Sequence, residues 1–184
     1  MSRAIRQALF HSAVRSTIAV SGLVALVGCD RPTAFEPRRE LSAAAFPSIA
    51  GNWAATGTAT LKTWFGSKTY TCSATISIPT QSDSSFSGTV TVPASGDCDS
   101  ESGTVAGVLK PDGSVTAMAY ASDGRNVWEE AATRSGCTLV SSTPFTGTLA
   151  GNTLAVAGTG AYDCPSIFGT YRVDVDVHVT ATRS

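Results

Sequence analysis

"YRVDVDVHVTA", residues 171–181, alternates apolar and polar side chains at every step. Tyrosine, valine and alanine occupy the odd positions, and arginine, aspartate, histidine and threonine occupy the even ones. Successive side chains of a β-strand point to opposite faces of a sheet. The stretch therefore predicts a strand with one dry face against a core and one wet face toward solvent.

Similar alternation occurs upstream, in a chain rich in Thr, Ser, Val, Ala and Gly, and it predicts eight strands in all. We place them at 52–61, 70–78, 86–92, 104–110, 114–121, 144–150, 153–162 and 170–182. With an even number of antiparallel strands, the first and the last can pair and leave no edge bare. The sequence therefore predicts an all-β domain, an eight-stranded antiparallel up-and-down β-barrel, with a β-sandwich as the alternative.

One segment, "NVWEEAATRSG" at 126–136, does not alternate. It opens on Asn126, has Glu129 three residues later, continues with helix formers and ends at Gly136. This pattern is close to a capping box with a glycine stop, so it predicts a short helix between strands five and six.

The predicted connections differ in length between the two ends of the barrel. Those at one end are mostly short and those at the other are mostly long; the short set is 79–85, 111–113 and 151–152, and the long set is 62–69, 93–103, 122–143 and 163–169. Because loops on a rigid scaffold commonly carry function, we expect the functional site at the end with the long loops, the barrel mouth.

Four cysteines of the domain flank two predicted hairpins, and all four fall at the mouth. Three pairings are possible for Cys72, Cys98, Cys137 and Cys164. An even number of cysteines in an exported domain indicates disulfides. Cys72 and Cys98 flank the second and third strands, whereas Cys137 and Cys164 flank the sixth and seventh. We therefore predict the bridges Cys72–Cys98 and Cys137–Cys164.

The N-terminus is a basic segment followed by an uncharged apolar run that ends Leu26-Val27-Gly28-Cys29. The apolar run is too short for a stable membrane span, and the arrangement is that of a secretory leader. The final four residues resemble the lipobox of bacterial lipoproteins. The resemblance implies that the leader 1–28 is removed and that Cys29 is acylated, with palmitate among its fatty acids, and anchored in a membrane.

The remaining chain divides into a tether and a domain. Residues 29–47 are rich in proline, alanine and serine without an apolar period, which indicates a flexible spacer before the β-barrel domain at 48–184. We expect the protein in the cell envelope, facing the periplasm or the cell surface. In enteric bacteria an aspartate after the lipidated cysteine favours the inner membrane, and Asp30 matches that position.

Charge argues against a nucleic acid as partner. The formal net charge is −1 and falls to −4 when the three arginines of the leader are removed, whereas nucleic acid requires a basic surface.

The domain opens on Gly51-Asn52-Trp53, which resembles the Gly-x-Trp start of the lipocalin and avidin-like barrels, the calycin group. In those barrels the tryptophan plugs the closed end and an arginine from the last strand covers it. The resemblance implies that Trp53 is a plug and that Arg183 lies on it in a cation–π contact. Typical lipocalins carry their helix after strand eight, whereas here it follows strand five.

The sequence shows no catalytic motif and no metal-binding spacing, so we expect neither an enzyme nor a cofactor or metal site. Two clusters contain residue types that can bind a metal, but we interpret them as solvated charges: Asp174, Asp176 and His178 on one strand, and Asp97, Asp99 and Glu101 in a loop. The neighbouring Glu129 and Glu130 are interpreted in the same way.

Large apolar residues in the mouth loops suggest contact with a ligand. We select Trp64, Phe65, Trp128 and Phe168 as the candidate ligand-binding residues. Small residues on the dry faces of the strands either leave room for a ligand inside a barrel or let the barrel flatten and close. We therefore expect a lipid-anchored envelope protein that takes a small apolar ligand at the barrel mouth. The alternative is an interaction or structural lipoprotein that binds an envelope protein or glycan through its loops and has no ligand cavity.

Overall fold

The computed structural model describes residues 45–96 and 98–184, and this part of the chain folds into nine strands and one helix. The elements are β1 (Gly51–Thr63), β2 (Gly66–Ser82), β3 (Ser85–Val92), β4 (Glu101–Leu109), β5 (Ser114–Ala121), α1 (Val127–Ser135), β6 (Thr138–Ser142), β7 (Phe145–Ala150), β8 (Thr153–Ser166) and β9 (Gly169–Arg183).

All strand pairs are antiparallel, and the sheet closes on itself. Its order is β6-β8-β7-β5-β4-β3-β2-β1-β9, and β9 pairs with β8 to complete the ring. Both β6 and β7 pair with β8, so they are two halves of one barrel strand. Pro144 lies between them and has no N–H for a ladder hydrogen bond. The predicted eight-stranded barrel is confirmed, and the β-sandwich alternative is wrong.

Several strands extend farther toward the mouth than the sequence predicts. The segments 62–69 and 163–169, predicted as long loops, are hairpins with two-residue turns at Trp64–Phe65 and Ile167–Phe168. The segment 122–143 contains β6 as well as the helix. Backbone pairing continues past the core in these places, where neither face of the strand is buried and apolar alternation no longer marks a strand.

The closed end of the barrel has its own core, in which Ile49, Trp53, Ile78 and Leu109 are fully buried. The Trp53 indole N–H donates to the Ile49 carbonyl at 3.0 Å. Arg183 lies over the Trp53 ring at 4.7 Å from its centroid, and its guanidinium donates to the Ser48 carbonyl. Residues 45–50 therefore enter the barrel at the end opposite the mouth.

A second core lies toward the mouth and consists of Trp128, Ala132, Tyr162, Cys164 and Val173. The helix that supplies the first two of these residues forms where the sequence predicts it. Asn126 caps it by accepting hydrogen bonds from the backbone N–H groups of Trp128 and Glu129. The helix stops at Gly136, whose φ of 67° lies in the left-handed region that glycine favours.

Both predicted disulfides are present. Cys72 joins Cys98 and Cys137 joins Cys164, with Cα–Cα distances of 5.9 and 4.3 Å. The first bridge ties the β3–β4 connection to β2, and the second ties the segment after the helix to the end of β8. Ring closure and both cores fall within 49–183.

The predicted leader, Cys29, Asp30 and nearly all of the predicted tether lie outside the described residues. Within the described ranges, no helix has both the length and the apolar character needed to span a bilayer.

Candidate functional site: the barrel mouth

A cavity of about 600 Å³ lies at the mouth between the helix and strands β1, β8 and β9. Its walls are mostly aliphatic and aromatic, and the exposed residues Ser135 and Pro165 lie at its rim. The other lining residues are Ala59, Leu61, Ala119, Val127, Trp128, Ala131, Cys137, Phe145, Tyr162, Cys164, Tyr171, Val173, Val175 and Val177. Its volume falls within the range of small-molecule sites in proteins.

Trp128 forms one wall of the mouth cavity and is only 3% exposed. Its indole N–H donates to the Thr143 carbonyl at 3.0 Å, and its ring stacks on Phe145 with centroids 5.3 Å apart. The ring lies close against Gly158 and Gly160, where a Cβ atom would come within 3.1 and 2.7 Å of indole carbons. Glycines in β8 therefore make the space that the indole occupies.

Below the mouth cavity lies a second, wholly apolar chamber of about 200 Å³. Phe145 and Ala119 line both spaces, so the Phe145 ring stands at the boundary between them. The deeper walls come from small and branched residues such as Gly57, Ala74 and Val156. The small inward-facing side chains noted in the sequence thus leave space inside the barrel rather than allowing it to close.

Tyr162 is a buried residue of the cavity wall and carries a hydroxyl group. Burial raises the pKa of its hydroxyl to about 12, so the phenol remains neutral at physiological pH. A neutral hydroxyl can donate one hydrogen bond to a ligand and accept another. The cavity thus combines an extensive apolar wall with a polar group that does not ionise.

Ion pairs join the helix that covers the cavity to β4 and to the loop that precedes the helix. Arg134 pairs with Glu101 at the start of β4 and with Glu130 one helical turn earlier, the latter at 2.8 Å. Arg125 pairs with Asp123 at 2.6 Å and with Glu130 at 2.5 Å. The Arg134–Glu101 pair and the Cys137–Cys164 bridge thus tie the C-terminal end of the helix to β4 and β8.

The structure brings only one of the four predicted ligand contacts to the cavity. Trp128 lines it, whereas Trp64, Phe65 and Phe168 lie outside it on the hairpin tips. The tips project because their hairpins extend past the mouth instead of folding over it as long loops.

Several wall residues were not selected from the sequence. Val175 and Val177 lie on the dry face of the alternating stretch, so the same alternation could have identified them. Phe145 follows Pro144 at a strand start, and no local pattern distinguishes it from an ordinary core residue.

Two of the acidic residues that could bind a metal form ion pairs instead. Asp176 pairs with Lys62 at 2.6 Å, and Glu101 pairs with Arg134. Asp97 lies outside the described residues. Among the residues that the structure describes, no three His, Cys, Asp or Glu side chains are placed to share a metal ion.

No protein-family model and no curated protein matches the chain. Among solved structures, the chain is similar to a redesigned β-barrel at 12% sequence identity and a TM-score of 0.38, over 74% of this chain and 91% of that one.

Proposed function

We propose that the protein binds a small apolar molecule in the cavity at the barrel mouth. The observation that carries the proposal is the 600 Å³ space itself, enclosed by Trp128, Phe145 and the valines of β9. Burial of an apolar ligand against such walls is favourable by about 25 cal/mol for each Å² removed from water. Two disulfides and the helix ion pairs support this reading, because a preformed site loses little conformational entropy when it binds.

The chemistry of the walls narrows the class of ligand. Apolar side chains line most of the mouth cavity, and Tyr162 offers a neutral hydroxyl. This combination favours a largely hydrocarbon molecule with one uncharged polar group, such as an alcohol, ester or ketone, over a charged metabolite.

The setting in which this binding takes place is part of the same proposal. The lipobox-like run ending at Cys29 supports a lipid-anchored lipoprotein of the cell envelope, with Asp30 favouring the inner membrane. The two disulfides support an oxidising, extracytoplasmic compartment. The contact between Trp53 and Arg183 supports the likeness to calycin barrels.

Titration with N-phenyl-1-naphthylamine, a neutral fluorophore whose emission rises in apolar surroundings, tests the proposal. The unsubstituted chain should saturate with one probe per molecule. Ala59 lines the mouth cavity, so Ala59→Phe should fill part of it and weaken binding about tenfold or more. Ala54→Phe is the matched control, because it places the same ring on the exposed face of the same strand.

Equal affinity in the two variants would show that the probe binds elsewhere. A chain that never saturates with the probe would remove the ligand-binding proposal. Thermal unfolding of both variants verifies that each is folded before the titrations are compared.

A further inference from the structure

Two hairpins at the mouth carry the same unusual four-residue tip. "TWFG" at 63–66 joins β1 to β2, and "SIFG" at 166–169 joins β8 to β9. Each tip has a hydroxyl residue, two large apolar residues and a glycine with positive φ. Two-residue hairpin turns ordinarily take Asn, Asp or Gly. Large apolar residues here conflict with local turn preference, and such conflicts concentrate at functional sites.

The four apolar side chains are largely exposed to solvent. Trp64, Phe65, Ile167 and Phe168 are 84%, 66%, 93% and 95% exposed, and we call them the tip surface. The hairpin turns at the closed end are polar instead, with Asp83–Ser84 in one and Gly151–Asn152 in another. Exposed apolar turns thus occur at the mouth and not at these closed-end hairpins.

The two tips form one surface because their hairpins are neighbours in the barrel. β1 pairs with β9 as far as Lys62 opposite Asp174, which lie two residues before the β1–β2 turn and six residues after the β8–β9 turn, so the second hairpin projects farther. The Phe65 ring lies 5.3 Å from the Trp64 ring and 6.0 Å from the Tyr171 ring at the base of the other hairpin. Tyr171 also lines the mouth cavity, so the tip surface adjoins the cavity rim.

The turns satisfy backbone groups from within. The Thr63 hydroxyl donates to the Gly66 carbonyl at 3.0 Å, and the Ser166 hydroxyl donates to the Gly169 carbonyl at 2.8 Å. Ser166 Oγ also accepts from the Phe168 backbone N–H at 3.2 Å. A segment that enters a lipid phase must meet its backbone hydrogen bonds internally, and in both tips a hydroxyl satisfies the glycine carbonyl in this way.

Charged side chains begin only a short way behind the tips. Lys62 and Lys68 flank one turn, and the ion pair between Arg172 and Asp163, at 2.7 Å, flanks the other. At about 3.3 Å for each residue, the one to three uncharged residues between each turn and the nearest charged residue extend about 3 to 10 Å. Elements that lie in the membrane interface bury their apolar face to about the same depth, 5 to 10 Å.

We propose that the tip surface docks onto a phospholipid bilayer, with Trp64, Phe65, Ile167 and Phe168 inserted at the boundary between headgroups and acyl chains. Two separate projecting hairpin tips can insert into a fluid bilayer surface. A protein interface, in contrast, ordinarily surrounds its apolar centre with a packed polar rim. Tryptophan also favours the membrane interface. Docked in this way, the cavity rim at Pro165 and Tyr171 lies next to the bilayer.

The position of the predicted anchor is compatible with this docking. The 15 residues between Cys29 and Ala45 reach at most about 50 Å when fully extended, and the 15-residue β9 is about 50 Å along its strand. A lipid on Cys29 and the tip surface can therefore touch the same bilayer. The docking itself depends neither on that lipid nor on a ligand in the cavity.

Vesicle binding by the chain from residue 29 onward with Cys29→Ser, which has no lipid, tests the proposal. The vesicles are phosphatidylcholine with one quarter phosphatidylglycerol, 100 nm in diameter. The tip variant Ile167→Ser/Phe168→Ser should lower the partition coefficient about tenfold or more. Val108→Ser, which removes an exposed apolar side chain of β4 close to the closed end, is the matched control and should leave it unchanged.

Trp64 supplies a second readout, because Trp53 and Trp128 are buried. Its emission should shift to the blue on vesicles and be quenched by phospholipids brominated along the acyl chain, and Trp64→Phe should abolish both signals. No vesicle binding, or equal binding by the tip variant, would overturn the proposal and leave a protein partner as the better occupant. Retained binding of N-phenyl-1-naphthylamine by the tip variant separates this outcome from failure of the cavity proposal.

Discussion

Gly158 and Gly160 in β8 determine where the Trp128 ring can lie, and so define one wall of the mouth cavity. A Cβ atom at residue 160 would approach the indole to 2.7 Å, whereas one at Gly57 would meet its nearest atom at an ordinary 3.7 Å. Gly160 and Gly57 thus differ in whether a single methyl group can be accommodated, although both lie in barrel strands.

Gly160→Ala should therefore destabilise the fold by about 1 to 3 kcal/mol through overpacking, and it should weaken probe binding by displacing the indole. Gly57→Ala should change the free energy of unfolding by less than about 1 kcal/mol and act as the control. Urea denaturation with a parallel probe titration measures both effects. Similar losses in the two variants would show that the indole is not confined by the glycine at 160.

Tyr162 gives the barrel a dependence on alkaline pH. Its folded-state pKa of about 12 lies above the value of 10 for an unperturbed tyrosine, so the unfolded chain loses this proton first. Stability from the neutral phenol is complete below about pH 10 and is lost as the pH rises toward 12.

Tyr162→Phe should remove this part of the alkaline decline. The free energy of unfolding is measured at about pH 8 and pH 11 in both proteins, and the two declines are compared. The contribution of the other tyrosines is common to both proteins and cancels. Parallel declines in the two proteins would show that the Tyr162 hydroxyl is not shielded from water in the folded state.

At the scale of elements, the two disulfides close chain segments of nearly equal length but border different spaces. Their sequence separations are 26 and 27 residues, so their effects on the entropy of the unfolded chain should be similar. Cys137 and Cys164 both line the mouth cavity, whereas Cys72 lines the inner chamber.

Replacing the two cysteines of either bridge by serines should lower the free energy of unfolding by roughly 2 to 4 kcal/mol. Only the loss of Cys137–Cys164 should also weaken binding of N-phenyl-1-naphthylamine, because the helix is then released from β8. Calorimetry and probe titration on the two double variants measure these quantities. An equal effect of both bridges on affinity would contradict the role given to the helix as a cover.

The elements also show where sequence patterns stop being informative. The β9 alternation and the Asn126-to-Gly136 helix could be predicted because burial on one face and capping leave local marks. The extensions of the β1–β2 and β8–β9 hairpins could not, since Ser67, Lys68 and Thr69 pair through the backbone without a dry face. The mouth cavity depends on Phe145 meeting Trp128 across the barrel, and such distant contacts have no local signature.

At the scale of the whole molecule, the barrel has a packed end, where the Trp53–Arg183 contact lies, and an open end with the cavity and the tip surface. The described chain enters at the packed end, and Cys29 is far in sequence from the residues of the tip surface. Anchoring and docking are therefore separable by substitution.

Cys29→Ser in the full chain should abolish labelling with radioactive palmitate and leave the leader uncleaved by the lipoprotein signal peptidase. Metabolic labelling and the apparent mass on a gel measure this, with the tip variant Ile167→Ser/Phe168→Ser as a control that keeps both lipid and processing. Normal cleavage of the leader in the Cys29→Ser chain, with no palmitate label on the unsubstituted chain, would indicate an ordinary secretory leader.

The position of bound N-phenyl-1-naphthylamine in a crystal structure of the complex tests the central claim, that the mouth cavity is a ligand site, most directly. We predict the naphthyl ring between Trp128 and Val175, with Phe145 beneath it and the Tyr162 hydroxyl nearby. A probe found only on the tip surface, or anywhere else outside the barrel, with the mouth cavity empty, would contradict the account.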